Sequence, residues 1–269
     1  MSRRWQPTAT IQASVALHAA AAGAVLWQPG LWPPALAAVI ADIGLLTAAG
    51  LWPRSHLLGP NLTRLPAAAA ARNEIALTID DGPDPEVTPP VLDLLDAAGV
   101  KATFFCIGEL VARQPALVRD MVGRGHAVEN HSLRHFKRFS VLGPRAMAAE
   151  IAGGQEAITV ATGRAPRFFR PIAGLRNVFL EPLLAKFDLR LASWTRRAFD
   201  TRCGDAAVVH QRLTTGLAAG DILLIHDGNG ARTAAGTPVI LEALPRVLAT
   251  AHECGLRLVR LDEAVGDEP

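Results

Sequence analysis

From Glu74 onward the chain alternates short apolar runs with longer amphipathic segments, and this alternation constrains the fold more than any other feature. Short apolar runs bounded by turn residues are typical of buried strands, and the longer segments between them are typical of covering helices. Repeated units of this kind favour a parallel sheet with its helices outside. We therefore predict an α/β fold that is barrel-like or doubly wound. The strands are predicted at 75–79, 102–107, 127–130, 168–170, 189–194, 222–225 and 257–259, and the helices at 87–98, 115–123, 144–161, 179–186, 206–217 and 239–254.

The first predicted strand ends in two adjacent carboxylates. Leu77, Thr78 and Ile79 run into Asp80 and Asp81, and a turn made of Gly and two Pro follows. The C-terminal ends of strands are where α/β proteins hold their reactive groups. Because adjacent residues there point in different directions, one Asp can bind a metal while the other faces a substrate water. A solvated acidic turn is the alternative for these residues alone.

Two histidines follow the third predicted strand. His131 and His135 are four residues apart, a spacing that brings both rings to one face of a helical turn. No Glu follows the first His, so the zinc-protease pattern is absent from the sequence. Such a pair can be structural. Together with an Asp from another strand end, it predicts an Asp-His-His site with a position open for water.

Two further strand ends carry candidate functional residues. Arg170 follows an apolar run and can hold a carboxylate by a bidentate pair, while the loop up to Gly174 can turn a backbone N–H toward an oxyanion. His226 ends another apolar strand and can serve as a general acid, with Asp200 placed to orient it. A surface Arg before a turn and a His capping a buried strand are the alternatives.

Taken in order, segments 78–82, 131–135, 170–171 and 224–226 resemble the motifs of the polysaccharide deacetylase family, also called the NodB-homology or carbohydrate esterase family 4 domain. The resemblance covers residues 74–265. It implies a distorted (β/α) barrel of about seven parallel strands. It also implies that Asp80 is the general base, that Arg170 holds it and that His226 is the general acid. The implied ligands of one divalent metal, usually zinc with cobalt or nickel as substitutes, are Asp81, His131 and His135.

The chain departs from the family pattern at two motifs. The third motif usually reads Arg-Pro-Pro-aromatic-Gly, but Ile172 and Ala173 stand before Gly174 here. The backbone N–H of Ala173 can still serve an oxyanion hole, although an aromatic platform for a sugar is missing from this loop. The fourth motif usually has Trp after its Asp, whereas Thr201 follows Asp200. Both departures weaken the case for a long glycan in an open groove.

The resemblance predicts a metal-dependent hydrolase that removes an N-acyl group, acetyl in the simplest case, from an amino sugar in a glycan or lipid-linked saccharide. The enzymatic alternatives are a carbohydrate O-acetyl esterase and a hydrolase of a small non-sugar amide. A non-catalytic glycan-binding module is disfavoured, because binding alone does not require base, acid and metal ligands together. The net charge of +2 is too small to indicate a nucleic-acid partner.

Residues 1–53 predict an apolar helical hairpin that precedes the catalytic domain. Segments 11–27 and 32–52 are each about as long as a membrane-spanning helix, and Asp42 is the only formal charge between Trp5 and Pro53. Tryptophans at the segment ends suit membrane interfaces. Asp42 and His18 would be costly at mid-membrane unless paired. Helices packed on the domain are the alternative. The predicted boundaries are 1–53 for the hairpin, 54–73 for a linker and 74–269 for the catalytic domain.

Basic residues predict how this hairpin is oriented in a bacterial-type inner membrane. They flank its two outer ends and are absent from its central loop, which by the positive-inside rule places both ends in the cytoplasm. These residues are Arg3, Arg4, Arg54, Arg64 and Arg72. Wall polymers would then be out of reach, and a lipid-linked amino sugar becomes the expected substrate. An extracytoplasmic catalytic domain is the alternative and would restore wall polysaccharide.

Overall fold

The computed structural model describes residues 4–266, so Arg3 of the charge argument lies outside the described residues. The chain opens with two long helices, α1 (Ala9–Trp27) and α2 (Trp32–Leu51), joined by a 3-10 turn at Pro29–Leu31. Both have the length and apolar composition needed to cross a bilayer, and little of either is buried in the protein. The predicted pair of hydrophobic helices is confirmed.

The two ionisable residues of α1 and α2, His18 and Asp42, lie close to each other. Asp42 of α2 accepts a hydrogen bond from the hydroxyl of Ser14 on α1 at 2.6 Å. His18 Nδ1 lies 2.8 Å from the carbonyl oxygen of Ser14 and 3.6 Å from Asp42 Oδ2. Pairing offsets the cost of placing such groups in an apolar helix pair.

The rest of the described chain is a parallel sheet surrounded by helices, as predicted. Its strands are β1 (Glu74–Asp80), β2 (Thr103–Cys106), β3 (Ala127–Asn130), β4 (Phe168–Phe169), β5 (Arg190–Leu191), β6 (Arg196–Arg197), β7 (Ile222–His226) and β8 (Arg257–Val259). Their order is β5-β4-β3-β2-β1-β7-β6, and β8 pairs with the N-terminal half of β1.

The connection between β5 and β6 shows that the sheet is curled. These strands lie at opposite ends of the hydrogen-bonded order, yet Leu191 and Arg196 are close neighbours in sequence. Six strand spacings in a flat sheet would separate them by about 29 Å. Five extended residues reach at most about 17 Å, so the sheet closes into a distorted barrel. The predicted strand at 189–194 therefore contains only β5, and β6 at Arg196–Arg197, across the seam of the barrel, was not predicted.

Helices pack on the outside of this barrel. They are α3 (Ala67–Ala71), α4 (Thr88–Ala97), α5 (Gly108–Arg113), α6 (Pro115–Gly123), α7 (Pro144–Thr162), α8 (Leu180–Lys186), α9 (Ala206–Thr214), α10 (Val239–Glu253) and α11 (Leu261–Val265). The six predicted helices are present, and three short helices were not predicted. Alternation along β1 separates two cores: Ile75, Leu77 and Ile79 pack under the helices, and Ala76 packs inside the barrel.

Residues 54–73, the predicted linker, pack against the barrel. Leu62 forms a parallel bridge with Ala192 at the seam beside β5. The backbone N–H of Leu65 donates to the carbonyl of Gly220 at 2.8 Å, and Ala69 of α3 is fully buried. The segment therefore fills the open side of the barrel, where β5 and β6 fail to meet.

Candidate active site

The register between β1 and β7 brings the first two candidate residues together. Asp80 lies directly opposite His226 in this parallel pair. Their neighbours Ile79 and Ile225 pack under the outer helices, so Asp80 and His226 point into the barrel interior. Both side chains are buried at the C-terminal end of the sheet. Strand alternation therefore places a carboxylate and an imidazole next to each other at this end of the sheet.

Arg170 fixes the position of Asp80. Its Nη1 donates to Asp80 Oδ1 at 2.6 Å and to Thr78 Oγ1 at 2.9 Å. Its Nε and Nη2 donate to the carbonyls of residues 192 and 193 at 3.1 and 2.8 Å. The contact with Asp80 is thus a single hydrogen bond and not the expected bidentate pair, because the other nitrogens bind backbone at the seam. Asp80 is tied to the barrel by a fully buried charge pair.

The two histidines meet through an irregular turn. Ser132 and His135 have left-handed φ angles of 67° and 52°, so the expected helical turn is wrong. The N–H of His135 donates to Ser132 Oγ at 3.1 Å, and the N–H of Ser132 donates to Asn130 Oδ1 at 2.9 Å. The rings of His131 and His135 nevertheless lie 5.0 Å apart. Local hydrogen bonds, not helical periodicity, bring them together.

Asp81 completes a cluster of three acceptors. Its Oδ1 lies 3.1 Å from His131 Nε2 and 3.0 Å from His135 Nε2. His131 Nδ1 contacts the carbonyl oxygen of Arg170 at 2.7 Å, so Nδ1 carries a proton, and in the neutral imidazole Nε2 then presents a lone pair. Among residues 4–266, Asp81 Oδ1 is buried without a hydrogen-bond partner. Acceptors that face one another need a cation, so this set fits one divalent metal.

His226 and Asp200 form the opposite wall of the site. His226 Nδ1–H and its backbone N–H donate to the two oxygens of Asp200, both at 2.8 Å. Burial by itself lowers the pKa of His226. The hydrogen bond to Asp200 and the nearby charges of Asp80 and Asp81 outweigh that effect, so the pKa of His226 is raised. The arrangement favours an imidazolium that can give up a proton.

Sequence reasoning assigned no role to Asp227 and Asn229, two residues of the loop after His226. Asn229 Nδ2 donates to Asp81 Oδ2 at 3.2 Å. Asp227 is buried and accepts a hydrogen bond from Thr88 at 2.5 Å, and burial raises its pKa to about 7. A Cβ at Gly228 would overlap the backbone carbonyl of Asp81. A second Asp-Gly pair after His226 was the available signal, but the sequence alone did not reveal what it contacts.

The loop that follows Arg170 lies between the site and the apolar hairpin. Ala173 has a left-handed φ of 54° and lines the cleft. A Cβ at Gly174 would lie 2.7 Å from the ring of Trp194 and 2.6 Å from the side chain of Pro53, just beyond α2. Trp194 also lines the cleft, which places an aromatic ring beside the loop that lacks one. The end of the hairpin is thus packed on the active-site loop.

These groups surround a cleft of about 380 Å³. Its lining residues are Asp80, Asp81, His131, His135, Lys137, Ile172, Ala173, Trp194, Arg197, Thr201, Arg202, Leu224, His226 and Asn229. The predicted residues that do not line it, Arg170, Gly174 and Asp200, each contact one that does. A carboxylate held by an arginine, a metal-binding set and an acidic imidazole therefore face one space, as hydrolysis requires.

Comparison with known proteins identifies the same region. Residues 67–192 match the family model described as polysaccharide deacetylase. A peptidoglycan-N-acetylglucosamine deacetylase of Bacillus cereus is 33% identical over 191 residues, which cover 70% of this chain and 86% of that protein. A peptidoglycan-N-acetylglucosamine deacetylase of Listeria monocytogenes is 30% identical over 211 residues. That match covers 78% of this chain but only 43% of the Listeria protein.

A solved structure has the same fold. The crystal structure of a peptidoglycan N-acetylglucosamine deacetylase superposes with a TM-score of 0.69 at 25% identity, covering 78% of this chain and 95% of that one. The chain spans less than half the length of the Listeria relative and most of the length of the other two. The shared region is the barrel and its cleft.

Proposed function

Because the chain belongs to the polysaccharide deacetylase family, we propose that it is a carbohydrate deacetylase, a hydrolase acting on a carbon–nitrogen bond other than a peptide bond. It removes an N-acyl group, acetyl in the simplest case, from an amino sugar. One observation carries this proposal: a buried cluster of acceptors that fits a metal lies beside Asp80, across the cleft from the Asp200–His226 pair.

The proposed roles follow from the hydrogen bonds of each residue. Arg170 holds Oδ1 of Asp80, so Asp80 accepts the proton of the attacking water on its other oxygen. His226, charged through Asp200, protonates the departing amine. The backbone N–H of Ala173, in the loop ending at Gly174, stabilises the negative charge that develops on the acyl oxygen.

Asp81, His131 and His135 hold the divalent metal. Mixed nitrogen and oxygen ligands suit zinc, and cobalt or nickel can substitute for it. When bound, the metal polarises the acyl oxygen and the water. The proton on His131 Nδ1 and the amide of Asn229 orient two of the ligands, as outer hydrogen bonds do in metal sites.

The same site could serve an O-acetyl ester or a small non-sugar amide, and these remain the enzymatic alternatives. The ester differs from both amides in one requirement: a leaving amine needs a donor that is protonated at neutral pH, because its expulsion is harder than that of an alkoxide. The raised pKa of His226 favours the amide. A non-catalytic glycan-binding module would need neither the donor nor the base.

The substrate proposed is an amino sugar carried on a membrane lipid, or a similarly small glycan. The apolar helices α1 and α2 form a hairpin in a bacterial-type inner membrane, and Arg4, Arg54 and Arg64 lie beside its outer ends. By the positive-inside rule the catalytic domain faces the cytoplasm. Lipid-linked sugars are then concentrated in the plane of the same membrane.

The decisive experiment is a screen of the purified full-length enzyme for amine release from N-acyl sugars, with and without added zinc. Zinc-dependent release from an acetamido sugar supports the proposal. Acetate release from O-acetyl sugars alone would replace the amidase with an esterase. A reporter fused after the last residue tests the orientation. Strong alkaline phosphatase activity there would place the domain outside and return wall polysaccharide to first place.

A further inference from the structure

We propose that Lys137, Arg197 and Arg202 form a phosphate-binding subsite in the catalytic cleft, which recognises the phosphate joining the amino sugar to its lipid carrier. The inference rests on the proposed deacetylase function and adds to it the residues that select the substrate. All three side chains line the same cleft as Asp80, Asp81 and the histidine pair.

The three cations converge on the cleft from two loops. Lys137 follows His135 by two residues, after the irregular turn. Arg197 ends β6, and Arg202 lies in the loop beyond it. An anion in the cleft can therefore be contacted from more than one side, as phosphate sites require.

The charge of Arg197 is available for a ligand, whereas the guanidinium of its neighbour Arg196 already has partners in the protein. Arg196 Nε donates to Asp221 at 2.5 Å, and its other nitrogens donate to the carbonyls of Thr215 and Gly216. Adjacent strand residues point to opposite faces, so Arg197 faces the cleft. Its guanidinium lies 5.2 Å from the ring of Trp194, and within the described chain its buried Nε has no hydrogen-bond partner. A buried donor without an acceptor is a rare and costly arrangement.

The other cleft cations are likewise without carboxylate partners among residues 4–266, where no oxygen of an Asp or Glu lies within 4.0 Å of Lys137 or Arg202. The cleft carboxylates have other partners. Asp80 is bound by Arg170, and Asp81 belongs to the acceptor cluster. Like charges in one cleft repel each other, and an anionic ligand removes that repulsion.

A neutral acetamido sugar does not use this charge, but a sugar phosphate does. The position of the hairpin indicates what the phosphate is attached to. Pro53, directly after α2, packs on Gly174 of the active-site loop, and its carbonyl accepts a hydrogen bond from Ser193 at 2.7 Å. The proposed membrane helix thus ends beside Trp194 and the cleft. A phosphate held beside Trp194 would therefore lie close to the end of the proposed membrane helix, which favours a lipid phosphate over a free one as the ligand.

The test compares one acetamido sugar in three forms: the free sugar, its 1-phosphate, and a short prenyl ester of that phosphate in detergent micelles. The full-length, zinc-loaded enzyme is expected to have a kcat/KM at least about tenfold higher for the 1-phosphate than for the free sugar. The prenyl ester is expected to exceed the 1-phosphate. A kcat/KM for the 1-phosphate that equals that of the free sugar would overturn the subsite, and equal values for the two phosphates would assign it to a soluble sugar phosphate, which overturns the lipid part.

Variants of the three cations locate the effect. Arg197→Gln and the double change Lys137→Gln with Arg202→Gln are each expected to lower the phosphate-to-free-sugar ratio of kcat/KM by about tenfold. Arg197→Lys keeps the charge and should retain part of the ratio. Arg138→Gln removes an exposed cation that follows Lys137 but does not line the cleft, and is expected to leave the ratio unchanged. A ratio that falls equally in the Arg138 variant would attribute the preference to general surface charge and refute the subsite.

Binding measurements test the phosphate subsite independently of the proposed deacetylase reaction. Asp80→Asn protein is titrated with the free sugar and with its 1-phosphate. Tighter binding of the phosphate, abolished in Arg197→Gln, supports the subsite even if no amine is ever released, and in that event only the proposed reaction fails. Equal binding of both ligands by a protein that deacetylates the free sugar would remove the subsite and leave the reaction in place.

Discussion

The two walls of the cleft satisfy their polar groups in different ways. One wall directs three acceptors at a shared point, and they belong to Asp81, His131 and His135. Within residues 4–266, Asp81 Oδ1 has no hydrogen-bond donor. On the other wall His226 and Asp200 pair a donor with an acceptor at 2.8 Å and need nothing further. The first wall is complete only with a cation, whereas the second is complete in the chain itself.

Because of this difference, the two walls respond to different conditions, one to metal supply and the other to pH. Buried acceptors that face one another destabilise the fold unless a cation joins them, so occupancy of the first wall is coupled to metal supply. In the proposed mechanism the second wall depends on pH, because its role there is the charge of one imidazole. Changes on the first wall should therefore alter metal content, and changes on the second wall should alter the pH profile.

The largest effect is expected from removing a metal ligand. His131→Ala and His135→Ala should each lose most of the bound metal and reduce activity by about 10³-fold or more, since the electrostatic stabilisation of the reaction goes with it. Metal analysis and turnover measure both. His252→Ala removes an exposed histidine and serves as the control. Full metal occupancy in both ligand variants would contradict the assignment.

Asp80→Asn is expected to reduce activity by about 10²-fold or more while the metal content stays normal. The amide cannot take the proton of the water, but it can still accept the hydrogen bond from Arg170 that positions it. Turnover and metal content of the same preparation measure the two outcomes. Near-normal turnover would exclude Asp80 as the base. Loss of metal would show that Asp80 helps to hold the metal.

Asp200→Asn is expected to act on the second wall through pH. Without the Asp200 carboxylate, the pKa of His226 falls, and because the protonated form is the active one, the alkaline limb of kcat/KM shifts to lower pH. Activity is lost as pH rises through the lower pKa and is retained best at acid pH. An unchanged pH profile with uniformly low activity would show that Asp200 only supports the fold.

The smallest effect concerns a histidine outside both walls. His126 Nδ1 accepts a hydrogen bond from the N–H of Ala102, and burial lowers its pKa to about 4. The unfolded chain, with a histidine pKa of about 6.5, binds more protons below that pH, so folding stability falls as pH drops from 6.5 toward 4, by on the order of 2 kcal/mol after solvent screening. His126→Asn should remove this acid loss in melting experiments and leave metal content alone. If both proteins lose the same folding stability at low pH, a group other than His126 causes the loss.

The sequence predicted the strand ends of this site well, because strand alternation and parallel register act locally. Asp80 and His226 both end apolar strands, and any parallel pairing of β1 with β7 brings their ends together. The turn at Asp81 was also readable from the Gly and Pro that follow it. Which residue would bind which partner was not readable, because Arg170 reaches Asp80 across 90 residues of chain.

Features that depend on the rest of the barrel were missed. The run 189–194 looks like one strand, but only Arg190 and Leu191 form β5, and the closure of the sheet adds β6 just beyond the run. The histidine turn was expected to be helical, but the hydrogen bonds of Ser132 override that spacing. The hydrogen bond that Asn229 gives to Asp81 comes from a loop that no periodicity describes.

The bridge between Leu62 and Ala192 determines where this protein can be cut. A fragment that begins where the family match begins, at residue 67, leaves β5 as an exposed edge with an unpaired backbone. Open edges of this kind recruit strands from other molecules and aggregate. A soluble version for crystallisation or assay should therefore start after the hairpin but before residue 62, so that the segment that covers the edge travels with the domain.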